Sequence, residues 1–381
     1  MKTRTRKILV VATTSYAGMG PYVTEIVNEF SPKEEIYFFF LDYENDFFKK
    51  NIKEELHKHS FFFKRANTKL NKLKNLLMFD NAIQKKIFEF CLEKKIELVH
   101  FINGPAPINI LKRLNKNGII VISTIHDLHP HEYKKIWYKN IRFKIFYIQL
   151  RNSFLKGNFF ITNSISQFNE IQTSYPEKKV FFHPFPSLVS NSVASGCKVA
   201  QEIQHIENPY ILFFGRIESY KGVSLLYETF THSKELYENF SLVIAGSGSL
   251  YFERTKNEKN VIFLNRYIED CEVAELYRNA KAIVYPYISA TQSGVLSLAF
   301  YYGIPVITSD VPFFKEIMKD ISSDLCFKTG SSDDLKDKLT TLLRKDSTSI
   351  SQKEKSYYKK YYDKKKIHDD LISIYNSLFP I

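Results

Sequence analysis

Short apolar runs alternate along the chain with stretches whose apolar residues recur at helical spacing. Residues 8–12, 36–41, 98–102, 119–125 and 159–162 are nearly continuous in Val, Ile, Leu and Phe, the pattern of strands covered on both faces. Between them, 21–30 places Val23, Ile26, Val27 and Phe30 on one helix face, and Ile83, Ile87, Phe90 and Cys91 repeat that spacing. Residues 107–114 and a basic, aromatic stretch at 133–156 read as further helices. Around 184–200 the periodicity fails and serines accumulate, which predicts an interdomain linker. The alternation then restarts, with strands at 210–214, 242–245, 261–264, 282–285 and 305–308. Helices are predicted at 223–230, 271–278, 295–302 and 312–319, and charged helices over 353–381. This order predicts an α/β protein of two doubly wound, Rossmann-like domains. Their bounds are 1–185 and 207–355, with a linker at 186–206 and a C-terminal helical segment at 356–381. Open parallel sheets bind ligands beyond the carboxyl ends of their strands, so the chemistry is sought there.

Composition narrows the picture. A length of 381 residues fits two to three domains at roughly 150 residues each. With 44% hydrophobic and 25% charged residues, the chain has the balance of a soluble globular protein. No apolar run approaches the ~18 residues of a membrane-spanning helix. The apolar run behind the basic start, 8–12, is too short for a signal peptide, so a cytoplasmic protein is expected. Lys+Arg 54 against Asp+Glu 41 leaves +13, which favours nucleic acid, an anionic membrane face or phosphorylated substrates. The aromatic share, 15%, rises together with Lys, Asn and Ile, as an AT-rich genome also produces. Cys91, Cys197, Cys271 and Cys326 are far apart, so reduced thiols are expected rather than disulfides or a cysteine zinc site.

Three segments of the second half carry candidate chemistry. The first, G-R-I-E-S-Y-K-G, follows a strand and precedes a helix; Gly215 permits a tight turn, and Arg216 and Lys221 set two cations beside a helix N-terminus. Dipole, free N–H groups and cations together suit a diphosphate, although an ordinary strand–helix loop has the same spacing. The second is a strand ending in Gly246-Ser-Gly248, whose glycines would let a ligand approach the backbone, or simply turn the chain. The third runs from Pro286 through Ser289-Ala-Thr291-Gln292-Ser293-Gly294 into a helix at Val295, where N-terminal N–H groups face an anion.

In this order and at these separations, the segments resemble the donor-binding domain of the family-4 retaining glycosyltransferases of GT-B fold, well over 210–319 and more loosely in the N-terminal half. The resemblance implies two Rossmann-like domains with an interdomain cleft, and sugar transfer from a nucleotide sugar without metal or other cofactor. Arg216 and Lys221 would contact the donor diphosphate, and Asn265, Arg266, Tyr267 and Ile268 would neighbour the nucleoside. The family's paired glutamates fall on Thr291 and Ala299; Ala299 has no oxygen for the ribose, and Thr291 can hydrogen-bond but is uncharged. Branches reading A-T-Q-S-G-V are similar to this chain, with Gln292 and Ser293 taking part of the recognition.

In the first half, Ser15-Tyr-Ala-Gly18-Met-Gly20-Pro21 resembles the family's first glycine loop, although a tight strand–helix turn explains it equally. Thr124-Ile-His126-Asp-Leu-His-Pro-His-Glu132 ends a strand. Its histidines and carboxylates are not set on one face by the backbone ahead of Pro130, so a metal site is not expected. His126 matches the family's histidine near the donor sugar and phosphate, with Asp127 as its orienting partner. The stretch 133–156 carries Lys134, Lys135, Lys139, Arg142, Lys144, Arg151 and Lys156 without an acid, interleaved with Trp137, Phe143 and other aromatics. Such a helix can lie on an anionic bilayer, or its charges can be the solvated side of a helix that covers the sheet. The aromatic stretch 61–74 adds to the first reading. The expected partners are a nucleotide-sugar donor, a glycan or lipid-linked glycan acceptor of surface polysaccharide assembly, and an anionic membrane surface, with no nucleic acid. The competing readings are a nucleotide-sugar epimerase of the same fold, a catalytically silent sugar-nucleotide-binding subunit, and a nucleic-acid-binding protein.

Overall fold

The protein's computed structural model describes residues 6–15, 18–42, 46–66, 68–76, 81–128 and 141–379. The chain forms two compact units: 1–186 together with 364–381, and 187–363.

Unit 1 is built on β1 (Ile8–Ala12), β2 (Ile36–Asp42), β3 (Ser60–Lys64), β4 (Leu98–Phe101), β5 (Ile120–Ile125), β6 (Phe159–Thr162) and β7 (Lys179–Phe182). All pairings are parallel, in the order β3-β2-β1-β4-β5-β6-β7. The apolar runs are continuous because alternate residues feed two separate cores. Ile8, Val10, Phe38 and Phe40 pack with Tyr22, Val23 and Ile26 of helix Met19–Val27 and with Leu371 and Tyr375 of helix Lys364–Asn376. Leu9, Val11, Phe39 and Leu41 pack on the other face with Ile83, Ile87 and Cys91 of helix Asn81–Lys94 and Leu111 of helix Ile108–Lys116.

The aromatic stretch beginning at Phe61 opens with the edge strand β3. Phe61 and Phe63 stack on Phe39, and Phe62 on Phe40, so its aromatics serve the sheet. The helix read at 133–156 is described only as Ile141–Lys156; Lys134, Lys135, Trp137 and Lys139 lie outside the described residues.

Unit 2 is built on β8 (Tyr210–Phe214), β9 (Ser241–Ala245), β10 (Val261–Leu264), β11 (Ala280–Tyr285), β12 (Val306–Ser309) and β13 (Cys326–Phe327). They are again parallel, in the order β10-β9-β8-β11-β12-β13. The serine-rich stretch read as a linker packs onto this unit: Val189, Val193, Ala200 and Ile203 join its core. Its serines are structural. Ser190 accepts from the Val193 N–H at 3.2 Å and so caps helix Asn191–Ala194, and Ser187 hydrogen-bonds the Tyr358 hydroxyl at 2.8 Å.

The Y-Y-K-K-Y-Y segment lies mainly in helix Thr348–Tyr361, whose tyrosines pack on helix Val295–Tyr302, Tyr357 on Phe300 and Tyr358 on Tyr301. Glu354 of the same helix is fully buried and accepts from the Val306 N–H at 3.0 Å. Burial holds its carboxyl well above the usual carboxylate range, partly offset by that hydrogen bond.

Candidate functional site

In unit 2 the strand order reverses between β8 and β11, so the carboxyl edge of these two strands is the switch point, the position of the ligand crevice in open parallel sheets. The loop after β8 carries Gly215, Arg216 and Lys221; the loop after β11 carries 286–294. Gly215 has φ +145°, open to glycine at little cost, and a Cβ there would lie 3.2 Å from Lys221 Nζ. Arg216 forms an ion pair with Glu218 and is 42% exposed, so it keeps access to solvent. Lys221 closes a short 3-10 turn, Ser219–Lys221, and Gly222 in the left-handed region leads into helix Val223–Thr231. Lys221 Nζ donates to the Tyr287 hydroxyl at 3.0 Å, with the ammonium 4.8 Å from that ring's centre.

The space beside Gly246 is taken by protein. Its φ is +140°, and a Cβ would lie 2.0 Å from the Gly215 carbonyl oxygen; one on Gly248 would lie 2.2 Å from that of Ile217. The two loops are zipped by Gly215 N–H to Ala245 O at 2.9 Å and Ile217 N–H to Ser247 O at 3.0 Å. These glycines therefore let one loop pack on the other, and that approach shapes the segment carrying Arg216.

The 291–295 loop opens helix Val295–Tyr302 through Gly294, with no side-chain cap on the first turn. Thr291 and Gln292 are half-buried, and Ser293 is buried with a hydroxyl that has no hydrogen-bond partner. Tyr285 donates its hydroxyl to Val295 O at 3.1 Å and so fixes the helix start on the strand beneath it. Ala299 is fully buried in the core; its side chain is a packing group, as its size and polarity require.

The residues expected beside a nucleoside separate by role. Asn265 accepts from the Gly248 N–H at 3.1 Å, and Ile268 is core. Arg266 is held by Glu202 (Nε–Oε1 2.7 Å, Nη2–Oε2 3.0 Å) and by Glu272 (Nη1–Oε2 2.7 Å, Nη2–Oε1 3.0 Å). The hydrogen bonds to Glu202 and then Glu272 hold its pKa above the usual arginine value. A guanidinium so engaged anchors the segment 200–204 to the loop after β10. Tyr267, 74% exposed, presents its ring to solvent.

In unit 1, Gly18 begins helix Met19–Val27 with open space where a Cβ would lie, whereas a Cβ on Gly20 would meet the Phe47 ring at 2.6 Å. Tyr16 and Ala17 of this loop lie outside the described residues, as do His129 and His131. His126 is buried at the end of β5. Its Nε2 donates to Ile102 O at 2.9 Å, which helps fix the ring, and the ring meets Tyr22 edge-on at 4.8 Å. Gln167 brackets this turn, donating to His126 O at 3.0 Å and accepting from the Leu128 N–H at 2.6 Å.

Two features were not singled out from the sequence. His100, inside β4, bridges the Tyr375 hydroxyl (2.7 Å) and the Thr124 hydroxyl (2.8 Å), tying helix Lys364–Asn376 to the sheet. Burial, then His183 and His126 nearby, pull its pKa down to about 3, so it is neutral. Tyr287 is the other; its signal was a large polar aromatic directly behind the β11 run, beside the loop already marked. Among the described residues no group of three or more His, Cys, Asp or Glu could hold a metal ion, and no helix is long and apolar enough to cross a membrane.

Comparison with known proteins places this geometry. The whole chain superposes on sucrose-phosphate synthase of Thermosynechococcus elongatus with a TM-score of 0.73, at 14% identity and covering 98% of this chain and 99% of that one. HepE of Anabaena, in complex with UDP and glucose, gives 0.69 at 15% identity, covering 98% and 100%. These likenesses show the fold: each unit is a parallel-sheet, Rossmann-like α/β domain, matching structures of GT-B fold. A phosphatidyl-myo-inositol mannosyltransferase of Mycobacterium leprae is 29% identical over 141 residues, 36% of this chain; the chain thus spans little more than a third, 37%, of that relative's length. Residues 198–364, nearly all of unit 2, match the family model described as Glycosyl transferases group 1.

Proposed function

We propose that the protein is a glycosyltransferase that moves a sugar from a nucleoside-diphosphate sugar, UDP- or GDP-linked, to an acceptor hydroxyl, with retention of configuration and without a metal ion. The observation that carries this reading is the pair of cations, Arg216 and Lys221, set in a glycine-shaped loop at the switch point of unit 2. Negative charge develops on the leaving diphosphate as the glycosidic bond breaks. Fixed cations and helix N–H groups stabilise that charge more than they stabilise the bound donor. Thr291, Gln292, Ser293, Gly294 and Val295 supply the uncapped helix start, and Tyr267 offers its exposed ring to the nucleoside. Arg266 acts through the shape of its segment, and Gly18 and Gly20 shape the corresponding turn of unit 1. His126 is the remaining catalytic candidate, its Nε2–H held by the Ile102 carbonyl.

The bound UDP and glucose of HepE and the group 1 match support a nucleotide-sugar donor. The phosphatidyl-inositol relative supports a lipid-linked acceptor in surface glycan assembly. An anionic membrane face as partner is supported by helix Ile141–Lys156, where Lys144, Ile148, Arg151 and Leu155 are all exposed at spacings that set them on one face.

Thermal stabilisation by a panel of UDP- and GDP-sugars, followed by product analysis, tests the reading. Arg216→Ala and Lys221→Ala are each expected to cut kcat/KM by on the order of a hundredfold, since each removes a charge-assisted contact. Stabilisation by none of these donors, or release of an epimerised sugar in place of a transferred one, would overturn it.

A further inference from the structure

The loops after β8 and β11 are laced together at the crevice by contacts that the motif around Lys221 does not account for. Ile288 N–H donates to Tyr220 O at 2.7 Å, and the Pro286 carbonyl fills the space beside Gly222, 1.9 Å from where a Cβ would be. Between these two contacts, on the same two strands of backbone, lie Lys221 and Tyr287. Tyr287 is 2% exposed and immobilised from several sides: its carbonyl accepts from the Ser309 hydroxyl at 2.5 Å, and its ring packs against Phe314 (5.2 Å), Tyr285 (5.8 Å) and Tyr220 (6.2 Å). Its hydroxyl therefore stands at a fixed point, 3.8 Å from where a Gly215 Cβ would lie, and receives one hydrogen bond from the Lys221 ammonium.

A lysine ammonium sits on a flexible stem, and holding it in one place costs rotamer freedom unless the protein supplies that constraint in advance. We propose that Tyr287 is the positioning residue for Lys221, its hydroxyl and ring holding the ammonium in the switch-point crevice for the diphosphate of a nucleoside-diphosphate ligand. The phenol takes one N–H of the ammonium and leaves the others directed to oxyanions, so the site is ordered before the ligand arrives. The inference rests on the donor reading of this crevice and adds that its order depends on a residue of the opposite loop.

Tyr287→Phe tests it, because the ring and its packing stay while the hydroxyl leaves. UDP and GDP are titrated by calorimetry into the full chain, with UMP and GMP as controls. For whichever base binds, Tyr287→Phe should weaken the diphosphate by roughly tenfold, the size of one hydrogen bond to a charged group, and leave the monophosphate within about twofold. Lys221→Ala should weaken the diphosphate more, and adding Tyr287→Phe to it should bring no further loss, since the hydroxyl acts only through the ammonium. Unchanged or tighter diphosphate binding in Tyr287→Phe, equal losses for mono- and diphosphate, or a full additional loss in the double variant would each overturn the positioning role. If Lys221→Ala itself leaves UDP and GDP affinity unchanged, the donor reading falls and the inference with it.

Discussion

Replacing Gly246 by Ala separates two uses of a glycine-bearing loop, approach of a ligand and approach of another loop. The added methyl would start 2.0 Å from the Gly215 carbonyl oxygen, where real contacts do not fall below 3.0 Å, so the loops must part by about 1 Å. At φ +140° an alanine also carries backbone strain of about 1–3 kcal/mol. Parting weakens the Gly215 N–H to Ala245 O and Ile217 N–H to Ser247 O hydrogen bonds, each contributing about 1 kcal/mol. The sum is about 2–5 kcal/mol, which at roughly 2–4 °C per kcal/mol lowers the melting temperature by roughly 4–20 °C. Gly330→Ala is the control, because it shares a positive φ, +82°, but has nothing within 4 Å of the new methyl. Scanning calorimetry or circular dichroism melts should place Gly246→Ala well below Gly330→Ala, with nucleotide affinity falling alongside as the segment bearing Arg216 shifts. A Gly246→Ala protein that melts with the control yet no longer binds UDP or GDP would refute the loop-packing account and return this glycine to the ligand.

The remaining predictions concern charge. Glu354, whose folded pKa is raised, contributes stability at low pH that is lost as pH climbs from the unfolded carboxyl value towards the folded one. Glu354→Gln keeps an acceptor for the Val306 N–H. It should melt progressively above wild type from pH 5 to pH 8, the gap growing by at most about 1.4 kcal/mol per pH unit; a constant gap would refute it. Transferase activity should survive exhaustive EDTA treatment, because phosphate neutralisation is assigned to Arg216, Lys221 and backbone dipoles; loss with EDTA and recovery with Mn2+ or Mg2+ would sink that assignment. Wild type should sediment with anionic vesicles at low salt. The double change Ile148→Glu and Arg151→Glu should release it while leaving UDP or GDP affinity intact, since each basic group near such a surface contributes about 1 kcal/mol. Failure of wild type to sediment would leave that helix face merely solvated.

What the sequence determined by itself was whatever depends on local periodicity. Continuous apolar runs specified the buried parallel strands, because a strand covered on both faces is apolar at successive positions, as Ile8–Ala12 and residues 36–41 show by feeding two cores. The spacing of Ile83, Ile87 and Cys91 specified a helix face, and glycines with cations after β8 marked a candidate anion loop. Contacts between distant segments were decided only by tertiary structure. Stacking on β2 makes Phe61 through Phe63 an edge strand, and the Ser190 cap with burial of Val189, Val193, Ala200 and Ile203 joins the serine-rich stretch to unit 2. Arg266 read as a ligand contact until Glu202, 64 residues away, claimed its guanidinium. Lys221 and Tyr287, 66 residues apart, meet because parallel strands β8 and β11 are neighbours. Strand order is set by which apolar faces pack together across the whole chain, and no local window of sequence contains that information.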